Sequence, residues 1–260
     1  MLRFSANLGF LWAELPLLER FDAAARAGFR AVELHWPYDV PALELADAIV
    51  RSRLTLLGIN TAPGRFEVGE RGLGAVPGRE RDFQATVDQA IDYCRAAGGS
   101  AIHAMAGVVP GEDRERARET FLENLRVAAP RAAAAGLTLL LEPLNVHDNP
   151  GYYYSTLADA FSLIDELELP NLKLQFDAYH VARSEGDVLM KLERYHPYIG
   201  NVQIAAVPSR AEPDEGEIAY PAIFAALERL EYSGWVGCEY RPRGDTASGL
   251  AWMQRLGVSL

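Results

Sequence analysis

A single (β/α)8, or TIM, barrel spanning residues 1–260 is the fold that this sequence predicts, and three observations predict it. Short apolar runs and helix-periodic segments alternate eight times without a composition shift or a linker, which implies parallel strands joined by helical crossovers. The length, 260 residues, is typical of one such barrel. The competing architecture, a doubly wound open sheet, lacks its usual signature, because no GxGxxG follows the first strand.

Taken in order, Leu2 to Leu8 is short and apolar-rich and predicts the first strand. Leu15 to Ala27 has helical periodicity and stops at Gly28, a residue suited to closing a helix. Phe29 to His35 is the second strand and runs into Trp36-Pro37. Val40 to Arg53 reads as a helix with Asp39 placed to cap it. Leu54 to Asn60 is the third strand. Thr61 to Arg79 is long, irregular and glycine-rich, and such loops in compact domains are functional or disordered. Glu80 to Ala97 is a helix, Ser100 to Met105 the fourth strand, carrying His103, and Asp113 to Ala135 an alanine- and arginine-rich helix closed by Gly136. Leu137-Thr-Leu-Leu-Leu-Glu142 is the fifth strand, a buried run that ends in a carboxylate and is stopped by Pro143. Leu157 to Leu167 is a helix, and Leu172 to Phe176 the sixth strand, followed by Asp177. Asp187 to Tyr195 is a helix, and Ile199 to Ile204 the seventh strand, containing Gln203. Tyr220 to Leu230 is a helix, Trp235 to Glu239 the eighth strand, and Thr246 to Leu256 a helical tail.

The net charge of −11 and pI near 5.0 argue against a sequence-independent nucleic-acid binder, which needs a basic stripe. They suit a cytoplasmic protein. Cys94 and Cys238 are far apart and form no CxxC pair, so reduced thiols are expected. No window approaches 18 uncharged apolar residues, and the N-terminus lacks a signal-peptide core, so no membrane span or secretion signal is expected.

In a barrel, chemistry sits where strands end at the C-terminal face. The fifth to eighth strands end near Glu142, Asp177, Gln203 and Glu239. One acid after a strand is commonly a helix cap or a surface residue. Four oxygen-bearing side chains on consecutive strands converge on one rim. An all-oxygen set suits a hard divalent ion, Mg²⁺ or Mn²⁺, whereas zinc usually recruits His or Cys as well. Such an ion holds a carbonyl and its neighbouring hydroxyl and acidifies the adjacent C–H. Glu142 and Glu239, at the two ends of the arc, are then the natural pair to remove a proton from one carbon and return one to its neighbour. The products are isomers or epimers formed through an enediolate.

At these residues the chain resembles the hydroxypyruvate isomerase family of xylose-isomerase-like TIM barrels. The resemblance rests on Glu142-Pro-Leu-Asn145, Gln175-Phe-Asp-Ala-Tyr-His180, Asn201-Val-Gln-Ile-Ala205 and Gly234-Trp-Val-Gly-Cys-Glu-Tyr240. Phe4-Ser-Ala-Asn-Leu8, Pro37-Tyr-Asp39, Gly69-Glu-Arg-Gly72 and Pro77-Gly-Arg79 add to it, so that it spans almost the whole chain. It implies that Glu142, Asp177, Gln203 and Glu239 bind the metal and that Glu142 and Glu239 also move the proton. It implies that His180 contacts a substrate oxygen and that Arg210 and Glu212 hold substrate or Glu239. A homo-oligomer, dimer or tetramer, is a further implication. Two departures bear on which substrate is used: Val146 precedes His147 where a histidine is expected directly after Asn145, and Asp214-Glu215-Gly216 replaces a Gly-x-Gly.

A small acid such as hydroxypyruvate carries a carboxylate, and an acidic protein needs a local cation to accept it. Arg71, in the glycine-rich loop, is the first candidate. Trp12, Trp36 and Phe66 are candidate walls of the pocket, and His103 is expected to be a core histidine with a satisfied hydrogen bond. The leading expectation is isomerisation of hydroxypyruvate to 2-hydroxy-3-oxopropanoate. The alternatives are a 2-oxo-tetronate isomerase or ketose 3-epimerase and, further away, an endonuclease-IV-like phosphodiesterase or a non-catalytic sugar-binding barrel.

Overall fold

The alternation in the sequence closes on itself. In the computed structural model, which describes residues 1–260, the strands are β1 (Arg3–Asn7), β2 (Ala31–Glu33), β3 (Thr55–Asn60), β4 (Ala101–His103), β5 (Thr138–Leu141), β6 (Leu172–Asp177), β7 (Ile199–Ile204) and β8 (Trp235–Cys238). They pair in chain order, all parallel, and β8 pairs with β1 to complete the barrel. The main helices are α1 (Leu17–Ala27), α2 (Ala42–Ser52), α3 (Glu80–Ala97), α4 (Arg114–Ala134), α5 (Leu157–Leu167), α6 (Ala178–Ser184), α7 (Val188–Tyr195) and α8 (Tyr220–Arg229). The tail forms two short helices, α9 (Thr246–Gly249) and α10 (Ala251–Arg255), in place of the one expected.

The period-2 alternation of a strand explains where the core lies. Phe4, Ala6, Leu174, Phe176, Val202, Ile204, Val236 and Cys238 are all buried. They alternate with Ser5, Asn7, Gln175, Asp177, Asn201 and Gln203, of which Ser5, Asn201 and Gln203 donate to Glu33 and Gln175 donates to Glu142. The interior is therefore unusually polar for this fold, which normally fills with branched apolar layers. The register brings Asp177, Gln203 and Gly237 level on three adjacent strands, and Ser5 level with Gly237.

Boundaries shift for local reasons. Pro16 and Pro41 stand at the N-caps of α1 and α2, so these helices begin later than periodicity suggests, and Asp39 caps nothing. Asp177, expected just beyond the sixth strand, ends β6 and caps α6 through Tyr179 N–H; α6 itself was not among the expected helices. No helix is long and apolar enough to cross a membrane. Cys94 and Cys238 are free and buried.

Candidate active site

β5 and β8 stop one residue short of Glu142 and Glu239, so both carboxylates emerge at the C-terminal mouth. They line a cavity of about 300 Å³ together with His35, Trp36, His103 and His180. Asp177 lies behind this wall, and Gln203 lines a second cavity of about 200 Å³ within the barrel; His103 and Asn60 line both cavities. All four predicted oxygen ligands are buried, with 1–6% of their surface exposed.

Each has one oxygen or nitrogen engaged by the protein. Asp177 Oδ1 accepts from Tyr179 N–H at 2.9 Å. Glu142 Oε2 accepts from Gln175 Nε2 at 2.8 Å. Gln203 Nε2 donates to Glu33 Oε2 at 2.7 Å. Glu239 Oε1 lies 3.1 Å from His35 Nε2 and 3.2 Å from Arg210 Nη2. Burial, reinforced by the charges of Glu239 and Asp177, pushes Glu142 well above the usual carboxylate range. Burial also raises Asp177, to about 7, against the pull of Arg210. Glu239 is just as buried, yet His35 and Arg210 hold it below its ordinary value.

Glu142, Asp177 and His180 offer ligand atoms within 4.8 Å of one another, a cluster able to hold a metal ion. The tautomer of His180 narrows its role. Its Nδ1 takes the backbone N–H of Asn145 at 3.0 Å and lies 2.8 Å from Asn145 Nδ2. Burial keeps the ring well below its usual pKa. A neutral imidazole with an accepting Nδ1 carries its proton on Nε2 and has no lone pair there for a cation. His180 is thereby left as a hydrogen-bond donor, with Nε2 3.7 Å from Asp177 Oδ2. The acceptors are elsewhere: Glu142 Oε1, Asp177 Oδ2 and Gln203 Oε1 are buried and have no hydrogen-bond partner. Buried acceptors are rarely left unmatched. Three of them, all oxygen, fit a hard divalent cation.

The other predicted residues divide. Arg210 lies among the carboxylates, 3.6 Å from Asp177 Oδ2 as well as against Glu239. Arg71 lines the mouth cavity, lies 3.8 Å over the Phe66 ring and donates to the carbonyls of Phe66 and Glu70. Trp36 and Phe66 form part of the same wall, with ring centroids 5.4 Å apart. Trp12 does not: it packs on Phe29 in the core. Glu212 requires a correction. It does not line the cavity and contacts neither Glu239 nor the open space; its buried carboxylate accepts from Arg243 N–H and from Arg243 Nε at 2.9 Å. His103 also differs from expectation. It is buried and held neutral, its pKa lowered to about 3 by burial, and neither nitrogen makes a hydrogen bond, although Nδ1 is 3.2 Å from Glu142 Oε2.

Sequence reasoning passed over His35, Gln175, Glu33 and Arg241. His35 stands two residues beyond β2, and Arg241 two residues beyond Glu239, so strand-end position was the signal available. Arg241 lines the mouth with its guanidinium 5.4 Å from the Phe10 ring centre and has no carboxylate partner. Close packing fixes His35 from behind: a Cβ on Gly9 would lie 2.2 Å from its Nδ1. Gly9→Ala is therefore expected to drive the ring off Glu239 and to lower kcat by about tenfold or more, the scale of losing one buried charged hydrogen bond. Steady-state kinetics of that variant, compared with a thermal melt to verify folding, provides the check.

Barrel and cavity together define a TIM barrel with a concave, carboxylate-lined site at the C-terminal mouth of its strands. Comparison narrows the class. A family model described as xylose isomerase-like TIM barrel matches residues 21–256. The chain is 49% identical over 255 residues to the 2-oxo-tetronate isomerase of Cupriavidus necator, covering 98% of each. It is 42% identical over 254 residues to the hydroxypyruvate isomerase of Escherichia coli, covering 97% of this chain and 98% of that one. The crystal structure of a family 2 AP endonuclease from Brucella melitensis matches with a TM-score of 0.95 at 45% identity, over 98% of this chain and 99% of the other. The chain belongs to the xylose isomerase-like TIM barrel family, and it is an isomerase.

Proposed function

We propose that the chain is a metal-dependent aldose–ketose isomerase of a small 2-oxo acid, moving the carbonyl from C2 to C3 beside a carboxylate. The observation that carries this reading is the set of buried, unpartnered oxygens on Glu142, Asp177 and Gln203, flanked by Glu239. Both reactions named for the relatives have this chemistry. The four-carbon 2-oxo-tetronate is favoured as substrate by the 49% identity to the Cupriavidus necator enzyme. Hydroxypyruvate is the second reading, supported by the Escherichia coli relative.

Glu142, Asp177, Gln203 and Glu239 would hold the cation, Mg²⁺ or Mn²⁺ by the all-oxygen donor set. When bound, it supplies Lewis-acid polarisation of the substrate carbonyl. The chain's own residues do the rest. Glu239, kept anionic by His35 and Arg210, takes the C3 proton. Glu142 returns a proton to C2, and the two exchange roles in the reverse direction. His180 Nε2–H donates to a substrate oxygen. Arg71 and Arg241 at the mouth provide positive charge for the carboxylate, and Trp36 and Phe66 exclude water on that side.

An AP endonuclease reading is weakened by the net charge of −11, which repels a nucleic-acid backbone, and by His35 and His180, each already engaged by a protein partner. The test is turnover of 2-oxo-tetronate and hydroxypyruvate in D₂O with Mg²⁺ or Mn²⁺, followed by NMR. Deuterium is expected at the carbon that becomes reprotonated. Turnover of both acids with no solvent label would sink the enediolate proton transfer; no turnover of either would sink the substrate class.

A further inference from the structure

Beneath the rim, a fourth buried carboxylate lies inside the barrel, one that the proposed chemistry does not use. Glu33 ends β2, is 4% exposed, and spans the interior. Its Oε1 accepts from Ser5 Oγ on β1 at 2.6 Å. Its Oε2 accepts from Gln203 Nε2 on β7 at 2.7 Å and from Asn201 Nδ2 at 3.4 Å. β2 and β7 are not neighbours; β1 and β8 lie between them, so these bonds cross the lumen. The crossing depends on Gly237 of β8. A Cβ there would lie 2.4 Å from Glu33 Oε1 and 2.9 Å from Gln203 Cγ. Burying a carboxylate is costly, and three donors collected from two strands offset that cost.

We propose that Glu33 is the positioning residue of the cation site: by gripping the amide nitrogen of Gln203 from below, it turns Gln203 Oε1 toward the ion. An amide presents a donor on one side and an acceptor on the other, and nothing in its shape selects which faces the site. A carboxylate beneath selects the nitrogen, which leaves the oxygen facing away from Glu33 without a partner, as observed. Outer partners of this kind orient the atoms that bind a metal. Gln175 stands in a similar relation to Glu142, donating to Oε2 and leaving Oε1 free. Glu33 lines the inner cavity and not the mouth cavity of Glu142 and Glu239, so its effect on catalysis passes through Gln203.

This inference rests on the metal-site reading, and the experiment separates the two. Mn²⁺ affinity is measured by titration calorimetry and by the Mn²⁺ electron paramagnetic resonance spectrum for the wild type, Glu33→Gln, Gln203→Ala and the double variant. Glu33→Gln keeps size but has one acceptor oxygen in place of two and no negative charge, so its hold on the Gln203 nitrogen is weaker and the Gln203 amide is freer to turn over. Its Kd for Mn²⁺ is expected to rise roughly 10- to 100-fold, the range for lost outer partners, with a changed spectrum. In the Gln203→Ala background the same change is expected to add less than about twofold, because the residue it positions is gone. Unchanged affinity in Glu33→Gln, or a full effect on top of Gln203→Ala, overturns the proposal. A wild type that does not bind Mn²⁺ overturns the metal-site reading itself. If Glu33→Gln melts out of the folded state, Glu33→Asp replaces it, with the carboxylate kept but drawn back by one methylene. A weakened Mn²⁺ affinity in that variant that vanishes in the Gln203→Ala background supports the proposal, and wild-type affinity overturns it.

Discussion

Changing Glu239 to glutamine is expected to lower kcat by about 10²- to 10⁴-fold, the range for removing a general base, with the barrel still folded. The side chain keeps its size and its place beside His35 and Arg210. What disappears is the negative charge that those two donors hold in place. Because Glu239 is also a candidate ligand, the measurement belongs at saturating Mn²⁺, so that weaker metal binding does not masquerade as lost proton transfer. Glu142→Gln gives the complementary result. Conversion is expected to fall on the same scale, while exchange of the C3 proton with solvent persists, because Glu239 still removes it. Loss of exchange in Glu142→Gln with exchange retained in Glu239→Gln would reverse the two roles. Activity within threefold of wild type in both variants would remove the pair from the mechanism.

Chelation is expected to abolish turnover, with restoration by Mg²⁺ or Mn²⁺, and to change how stability depends on pH. Without a cation, Glu142 and Asp177 are buried carboxyls that bind their protons more tightly in the folded chain than in the unfolded one, Asp177 with a value of about 7. A group with a raised folded pKa contributes stability that is present below its unfolded value and is lost as pH rises through the folded value. The metal-free protein is therefore expected to lose stability between about pH 4 and 7, the interval between those two values for Asp177. Added cation binds the ionised form and should offset that loss. At a concentration 100 times Kd the gain is about 2.7 kcal/mol, which is several degrees of Tm for a chain of this size. Calorimetric melts at pH 5 and 7, with chelator and with Mn²⁺, decide the matter. A pH-independent difference between the two conditions would mean that the carboxyls do not face the ion.

The barrel was legible in the sequence because its signals are local. Apolar runs of strand length, helical periodicity and the residues that end each element repeat eight times, and each can be read within a dozen residues. The oxygen-bearing residues at the ends of the last four strands were legible for the same reason: strand ends in a barrel point to one rim, and Pro143 or a helix cap marks the end. Positions close in sequence could still mislead. Asp39, two residues before Pro41, looked like a cap, but the helix starts beyond the proline, whose own missing N–H costs nothing there.

What the sequence by itself determined is therefore the architecture and the residue types delivered to the rim. Only the tertiary structure decided which atoms of those residues are free. Glu212 looks like a site residue until Arg243, 31 positions later, takes its carboxylate. His180 is placed by resemblance against a substrate oxygen, but which of its nitrogens is free stays open until Asn145, 35 positions away, claims its Nδ1. Glu33 shows no purpose until Gln203, 170 positions away, meets it inside the barrel. A hydrogen bond is satisfied by whatever lies within about 3 Å in space. Closing eight strands into a ring makes neighbours of residues that no window along the chain contains.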